Sequence, residues 1–157
     1  MKYYGLLTVL SLSMMTTACA VTPPAVSKQG QLMEVSELYA EHKTFQANHQ
    51  SYTVDQTDVD LIRSVDQPLT IVALFGSWCH DSEREVPRLV KLLSQAQNPL
   101  IELKLIAVNT KKEAPASYRL KYTPTFLVMN AQQQEVGRIV ERPAATLGQD
   151  IVNMLIN

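Results

Sequence analysis

Cys79 stands where a sulfur nucleophile would be useful. It follows Trp78, the chain's single tryptophan, and precedes His80, Asp81 and Ser82. An apolar run, Leu69 to Phe75, leads into it, and a charged, helix-patterned stretch follows. A thiol attacks only as thiolate, and an unperturbed cysteine has a pKa of about 8.5. The start of a helix offers unpaired N–H groups and about half a positive charge. Cys79 at the mouth of a helix over Ser82–Gln95 would have its thiolate stabilised by both. A protonated His80 would add to this and the Asp81 carboxylate would oppose it. The plainer readings are a buried structural thiol for Cys79 and a solvated loop residue for His80.

Ser82 lies three residues beyond Cys79, where a second cysteine would complete a redox pair. A second thiol would attack a mixed disulfide and release the substrate, which a hydroxyl does not do at a useful rate. Ser82 can instead donate a hydrogen bond to the Cys79 thiolate. It also opens Ser82-Glu83-Arg84-Glu85, a Ser-x-x-Glu capping box ahead of an apolar helix face. Both readings stand. Farther on, Thr123-Pro124-Thr125 precedes a short apolar strand. A cis Thr123–Pro124 bond there would turn the Thr123 backbone toward Cys79 and offer it to an extended substrate strand. The alternative is an ordinary trans proline.

These residues need elements to position them. Leu69–Phe75, rich in Ile and Val, reads as a strand buried on both faces. Ser82–Gln95 is helical, with Val86, Leu89, Val90 and Leu93 inward. Ile101–Val108 is a second central strand, Ala114–Leu120 a short helix, and Thr125–Met129 with Val136–Val140 an antiparallel hairpin. Thr146–Ile156 closes the chain as an amphipathic helix. Upstream, Glu34–Asn48 reads as one extra N-terminal helix, Ser51–Val54 as a short strand and Asp55–Val65 as a helix. This alternation predicts an α/β fold, a central mixed β-sheet flanked by helices and covered on both faces. In such sheets the site lies at the carboxyl end of a central strand, where a helix begins.

Trp78-Cys79-His80-Asp81-Ser82 resembles the active-site segment of the thioredoxin superfamily, whose usual form is W-C-x-x-C. Pro87, eight residues beyond Cys79, matches the proline of that family's active-site helix. Thr123-Pro124-Thr125, about 45 residues downstream, matches its cis-proline loop. The resemblance implies a thioredoxin-like fold and a site made of Cys79 and Ser82 as the reacting pair, with Trp78, His80, Thr123 and Pro124 binding substrate. The family's buried acid, six residues before the nucleophile, would fall on Ala73. Its absence agrees with Ser82: the two-thiol apparatus is missing as a set.

The first residues have a different character. Lys2 followed by the apolar Leu6–Met15 and the small residues Thr16 to Ala20 reads as a secretory leader. Thr16-Thr17-Ala18-Cys19 resembles a bacterial lipobox with Cys19 as the lipidated residue, whereas Ala18-Cys19-Ala20 also reads as a site cleaved after Ala20. The expected division is 1–19 signal peptide, 20–30 tether and 31–157 thioredoxin-like domain. Either way Cys79 is left without a partner for an internal disulfide. The expected location is extracytoplasmic: a periplasm-facing lipoprotein, in the outer membrane because Ala20 follows the lipid-bearing cysteine, or a soluble periplasmic protein.

The net charge is −1, and loss of a leader whose one charge is Lys2 makes it −2. This leaves no electrostatic footprint for nucleic acid. His42, His49 and His80 are too scattered to argue for a metal, and no cofactor is expected. Two functions follow. One is a monothiol redox protein acting on protein thiols or disulfides of the cell envelope through Cys79, resolved by an external thiol reductant and tied to the membrane through Cys19. The other is a non-catalytic binding module using the Trp78/Pro124 groove.

Overall fold

In the computed structural model, residues 30–156 are described, so the leader, Cys19 and nearly all of the tether lie outside them. The elements run β1 (Gln31–Met33), α1 (Val35–Glu41), α2 (Lys43–Ser51), α3 (Gln56–Arg63), β2 (Leu69–Phe75) and α4 (His80–Ala96). They continue with β3 (Ile101–Ala107), a 3₁₀ turn (Ala116–Tyr118), β4 (Thr125–Met129), β5 (Glu135–Val140) and α5 (Leu147–Ile156).

The sheet has the order β1-β3-β2-β4-β5. β2 is central because every residue of it is buried, and a strand apolar on both faces is stable only in the middle of a covered sheet. It pairs in parallel with β3 and antiparallel with β4, while β1 and β5 close the edges antiparallel. This is the thioredoxin-like arrangement that the sequence predicts.

The two faces are covered unequally. Ile71, Ala73 and Phe75 of β2 face a large core built with Leu38, Phe45, Val59, Ile62, Leu89 and Ile151, so all five helices contribute to one side. Val72 and Leu74 face a small core with Ile106, Val108 and Leu127. Its cover is the segment after β3, through Ala114, Tyr118 and Leu120. The helix expected over Ala114–Leu120 is only the single 3₁₀ turn, ended by Arg119 at φ 51°.

Two further expectations are corrected, and one strand is new. The helix expected over Glu34–Asn48 is two helices, broken at His42 (φ −121°, ψ 89°). Leu38 and Phe45, seven residues apart, are both fully buried. The apolar period therefore runs through the break and conceals it. Residues Ser51–Val54 form no strand. Ser51 ends α2, and Lys91 Nζ takes up the carbonyls of His49 (2.7 Å), Gln50 (3.1 Å) and Tyr52 (2.5 Å). A side chain satisfies the backbone where a sheet partner would have been needed. β1 is the unforeseen strand, an edge of three residues with no alternation to betray it.

Side-chain contacts fix the helices. α3 is capped by Asp55, whose carboxylate accepts from Thr57 N–H at 2.8 Å. α5 docks on α3 through Gly148, where an added Cβ would meet Asp58 Oδ1 at 2.7 Å. Thr146 Oγ1 donates to the same Asp58 oxygen at 2.5 Å.

Candidate functional site

β2 ends at Phe75, and the chain turns through Gly76, Ser77 and Trp78 into α4. The turn closes with Cys79 N–H donating to the Gly76 carbonyl at 3.0 Å. Cys79 is the N-cap of α4, and its carbonyl accepts the first helical bond from Glu83 N–H at 2.9 Å. The Trp78 indole lies over Gly76, close enough that a Cβ there would sit 2.5 Å from the ring. Glycine is what lets the indole fold back across the turn while remaining 43% exposed.

Ser82 lies inside the first turn of α4 and is fully buried. It is not the helix cap, so the capping-box reading is corrected. Its Oγ accepts from Gly76 N–H at 3.3 Å, which ties the helix start to the end of β2. The position where a second thiol would sit therefore holds a hydroxyl bonded within the turn.

The Thr123–Pro124 bond is cis. The loop brings the Thr123 carbonyl to the sulfur, and the protonated Cys79 thiol donates to it at 3.1 Å. Residues 44 apart in sequence thus meet at one atom pair. The Thr123 carbonyl is engaged by the thiol while that thiol is protonated, and ionisation to the thiolate removes this bond. Thr123 and Pro124 are buried, and Thr125 Oγ1 braces the loop by donating to the Tyr122 carbonyl at 2.8 Å.

The sulfur is half-buried, which by itself raises its pKa. Hydrogen bonds from the Thr123 side chain, the Ser82 N–H and hydroxyl and the Asp81 N–H outweigh that burial, and the thiol is held below its ordinary value. Hydrogen bonds given to the charged form favour it. Ser82 Oγ thus accepts from Gly76 N–H, and the residue lies near enough to the sulfur to favour its charged form.

His80 is turned to solvent, with its side chain 97% exposed and Nδ1 3.1 Å from Glu83 Oε2. It makes no hydrogen bond to the sulfur. The Asp81 carboxylate is drawn off by Arg84 at 2.7 Å, so only the Asp81 backbone serves the thiol. Ala73, where the family carries an acid, is buried between Leu105 and Phe126 on the neighbouring strands.

Two contributors escaped the sequence reading. Asn48 Nδ2 on α2 donates to the Glu83 carbonyl at 2.7 Å. Glu85 is buried, with Oε1 accepting from Arg84 Nε (2.6 Å) and Arg88 (3.2 Å) and Oε2 without a hydrogen-bond partner. Pro87 signals the first, since a proline inside a helix leaves a carbonyl four residues back in want of a donor. Nothing in the spacing signals Glu85. Among the described residues no group of three His, Cys, Asp or Glu side chains could hold a metal ion.

A cysteine capping a helix at the end of a central strand, met by a cis-proline loop, defines a thioredoxin-like protein. The thioredoxin family model matches residues 30–153, and the chain belongs to that family. Among solved structures it is similar to a Pseudomonas aeruginosa protein of unknown function: 16% identity, 79% of this chain and 98% of that one, TM-score 0.59. It is also similar to an HIV epitope-scaffold, at 18% identity over 74% of this chain and 85% of that one, TM-score 0.60. These likenesses concern the fold. No curated protein matches the chain. Family membership points to redox-type function in general terms.

Proposed function

We propose that the protein is a monothiol thiol–disulfide exchange protein of the cell envelope, with Cys79 as its nucleophile. The observation that carries this reading is the half-buried sulfur at the start of α4, whose pKa is lowered by Ser82, Thr123 and Asp81 despite its burial. The Cys79 thiolate attacks one sulfur of a partner disulfide. A Cys79–partner disulfide forms, and the other partner sulfur leaves as thiolate and takes up a proton. Ser82 cannot displace the partner, so an external thiol attacks the mixed disulfide and frees Cys79. Protein disulfides of the envelope are the substrates and a small or protein thiol is the reductant. The leader-like residues up to Cys19 support export, with Cys19 lipidated as the membrane anchor.

The test is the rate of Cys79 alkylation by iodoacetamide against pH, combined with capture of mixed disulfides from intact cells. A titration below the ordinary cysteine range and Cys79-dependent covalent partners are expected. An ordinary, slow thiol with partners retained by Cys79→Ser would instead identify a binding module.

A further inference from the structure

Two acids, Asp81 and Glu83, stand in the first turn of α4, directly after Cys79. Carboxylates at a helix start are favoured by its partial positive charge. A thiolate in the same place is not helped by them, because a neighbouring negative charge drives the thiol toward its neutral form. The helix and the nucleophile thus make opposite demands on these positions. Each acid has a partner on its own helix. Glu83 Oε2 lies 3.1 Å from Nδ1 of the solvent-facing His80. Asp81 Oδ1 accepts from a terminal nitrogen of Arg84 at 2.7 Å. From outside the helix, Asn48 of α2 reaches the Glu83 carbonyl and Thr123 receives the thiol, and both are neutral.

The two pairs are not held alike. His80–Glu83 hangs on an exposed ring, and such surface pairs are worth little. Arg84 is anchored on its other side, where Nε donates to Glu85 Oε1 at 2.6 Å. The Glu85 side chain is 3% exposed, against 41% for Arg84 and 40% for Asp81. A buried carboxylate gives up a guanidinium only at a large penalty. Its other partner, Arg88, makes one longer contact of 3.2 Å to the same oxygen. Arg84 therefore runs from a fixed point in the interior out to Asp81. A guanidinium offers several donors in one rigid plane and can serve two carboxylates at once, which a lysine ammonium on its flexible stem does poorly.

We propose that Arg84 is a positioning residue for Cys79: anchored by the buried Glu85, it holds the Asp81 carboxylate off the sulfur and offsets its charge. This rests on the redox reading above and deepens it, naming what keeps the nucleophile ionisable beside an acid. The Asp81 backbone N–H then serves the thiolate without the Asp81 carboxylate opposing it. Arg84 acts through Asp81 and not on the sulfur.

The test follows iodoacetamide alkylation of Cys79 against pH in the full chain, read at the Cys79 peptide by mass spectrometry. At neutral pH Arg84→Gln is expected to slow alkylation about threefold and to move the profile toward higher pH, the effect of one charge acting through solvated surroundings. In an Asp81→Asn background the same replacement is expected to change the rate by less than about 1.5-fold, because no carboxylate is left to hold. Arg84→Lys keeps a cation beside Glu85 and so protects the fold, but it spans the two carboxylates poorly and is expected to slow alkylation about twofold. Arg63→Gln removes an exposed, acid-paired cation at the other end of α4 and is expected to leave the profile unchanged. Equal slowing by Arg84→Gln in both backgrounds would overturn the proposal, since Arg84 would then act by its own charge or by supporting the fold. Unshifted profiles in folded Arg84→Gln and Arg84→Lys would also overturn it and leave the redox reading standing. If wild-type Cys79 itself titrated in the ordinary cysteine range, the redox reading would fall, and the role of Arg84 with it.

Discussion

Asn48 Nδ2 donates to the Glu83 carbonyl at 2.7 Å, and Glu83 is the residue four places before Pro87. Proline has no N–H to give, so the helix itself leaves that carbonyl without its i+4 donor. α2, part of the N-terminal extension, supplies one from outside. Glu83 N–H in turn binds the Cys79 carbonyl at 2.9 Å, so the contact braces the turn that presents the thiol. The extension is therefore tied to the active-site helix by hydrogen bonding as well as by packing over the sheet.

Asn48→Ala should cost about 1–2 kcal/mol, the usual penalty for stranding a partly buried acceptor. The informative measurement is a double-mutant cycle with Pro87→Ala under urea unfolding. Alanine at 87 restores the helical N–H to the Glu83 carbonyl, so Asn48→Ala should cost less in that background. Coupling of at least about 0.5 kcal/mol is expected. Strict additivity would show that the Asn48 contact does not replace the missing helical bond.

Ser82→Ala tests the hydroxyl that accepts from Gly76 N–H and helps to lower the Cys79 pKa. Removing it weakens the thiolate, so Cys79 alkylation at neutral pH should slow by about threefold to tenfold, the worth of one hydrogen bond. The Gly76 N–H loses its acceptor too, and the fold should lose about 1–3 kcal/mol. An unchanged pH–alkylation profile in a folded variant would remove Ser82 from the site and leave it a purely structural serine.

The sequence was most informative where chemistry and burial coincide. β2 announces itself by an unbroken apolar run, and α4 by Val86, Leu89 and Val90 on one face. Trp78-Cys79 and Thr123-Pro124 could be recognised because each is a rare local pattern, and the fold brings them to one hydrogen bond. What was hidden depends on tertiary partners. Thr53 and Val54 carry strand propensity, but Lys91 claims the neighbouring carbonyls first. The break at His42 leaves the apolar period intact. Ser82 satisfies a capping-box pattern, yet the helix begins earlier, at His80, and makes the serine an interior residue. Glu85 looks like a surface acid until Arg84 and Arg88, themselves well exposed, are seen to pair with it where it is buried.

The lowered thiol pKa also predicts how stability varies with pH. Below the ordinary cysteine pKa of about 8.5, the folded protein has already released part of the Cys79 proton while the unfolded chain retains it. The unfolded state thus binds more protons, and stability contributed by this group rises with pH. It is fully present above the unfolded pKa and is lost as pH falls through the folded pKa. Wild-type stability minus that of Cys79→Ser, measured by chemical denaturation, should climb through mildly alkaline pH and level off above about 9. A difference that stays flat or declines over this window would contradict the hydrogen-bonded thiolate.

Ser82→Cys addresses the chemistry directly. Cys79 caps α4 and residue 82 completes its first turn, a placement that in the thioredoxin family supports a disulfide. Cys79 is the one cysteine among the described residues, so the mature protein, with Cys19 lipidated or removed as proposed, should form no internal disulfide and should reduce insulin no faster than dithiothreitol alone. The variant should form a bridge between Cys79 and the introduced thiol in oxidising buffer, seen as loss of both thiols to a thiol reagent without a change of oligomer. It should then reduce insulin catalytically, though modestly. Residue 73 is an alanine packed between Leu105 and Phe126, so no buried acid is present to help deprotonate the new thiol. The new sulfur also displaces the hydroxyl that accepts from Gly76 N–H, and sulfur is the weaker acceptor. A bridge without turnover would locate the defect at Ala73, testable by adding Ala73→Asp to the same chain. If both thiols remained free in a folded variant, the Cys79–Ser82 geometry described above would be wrong.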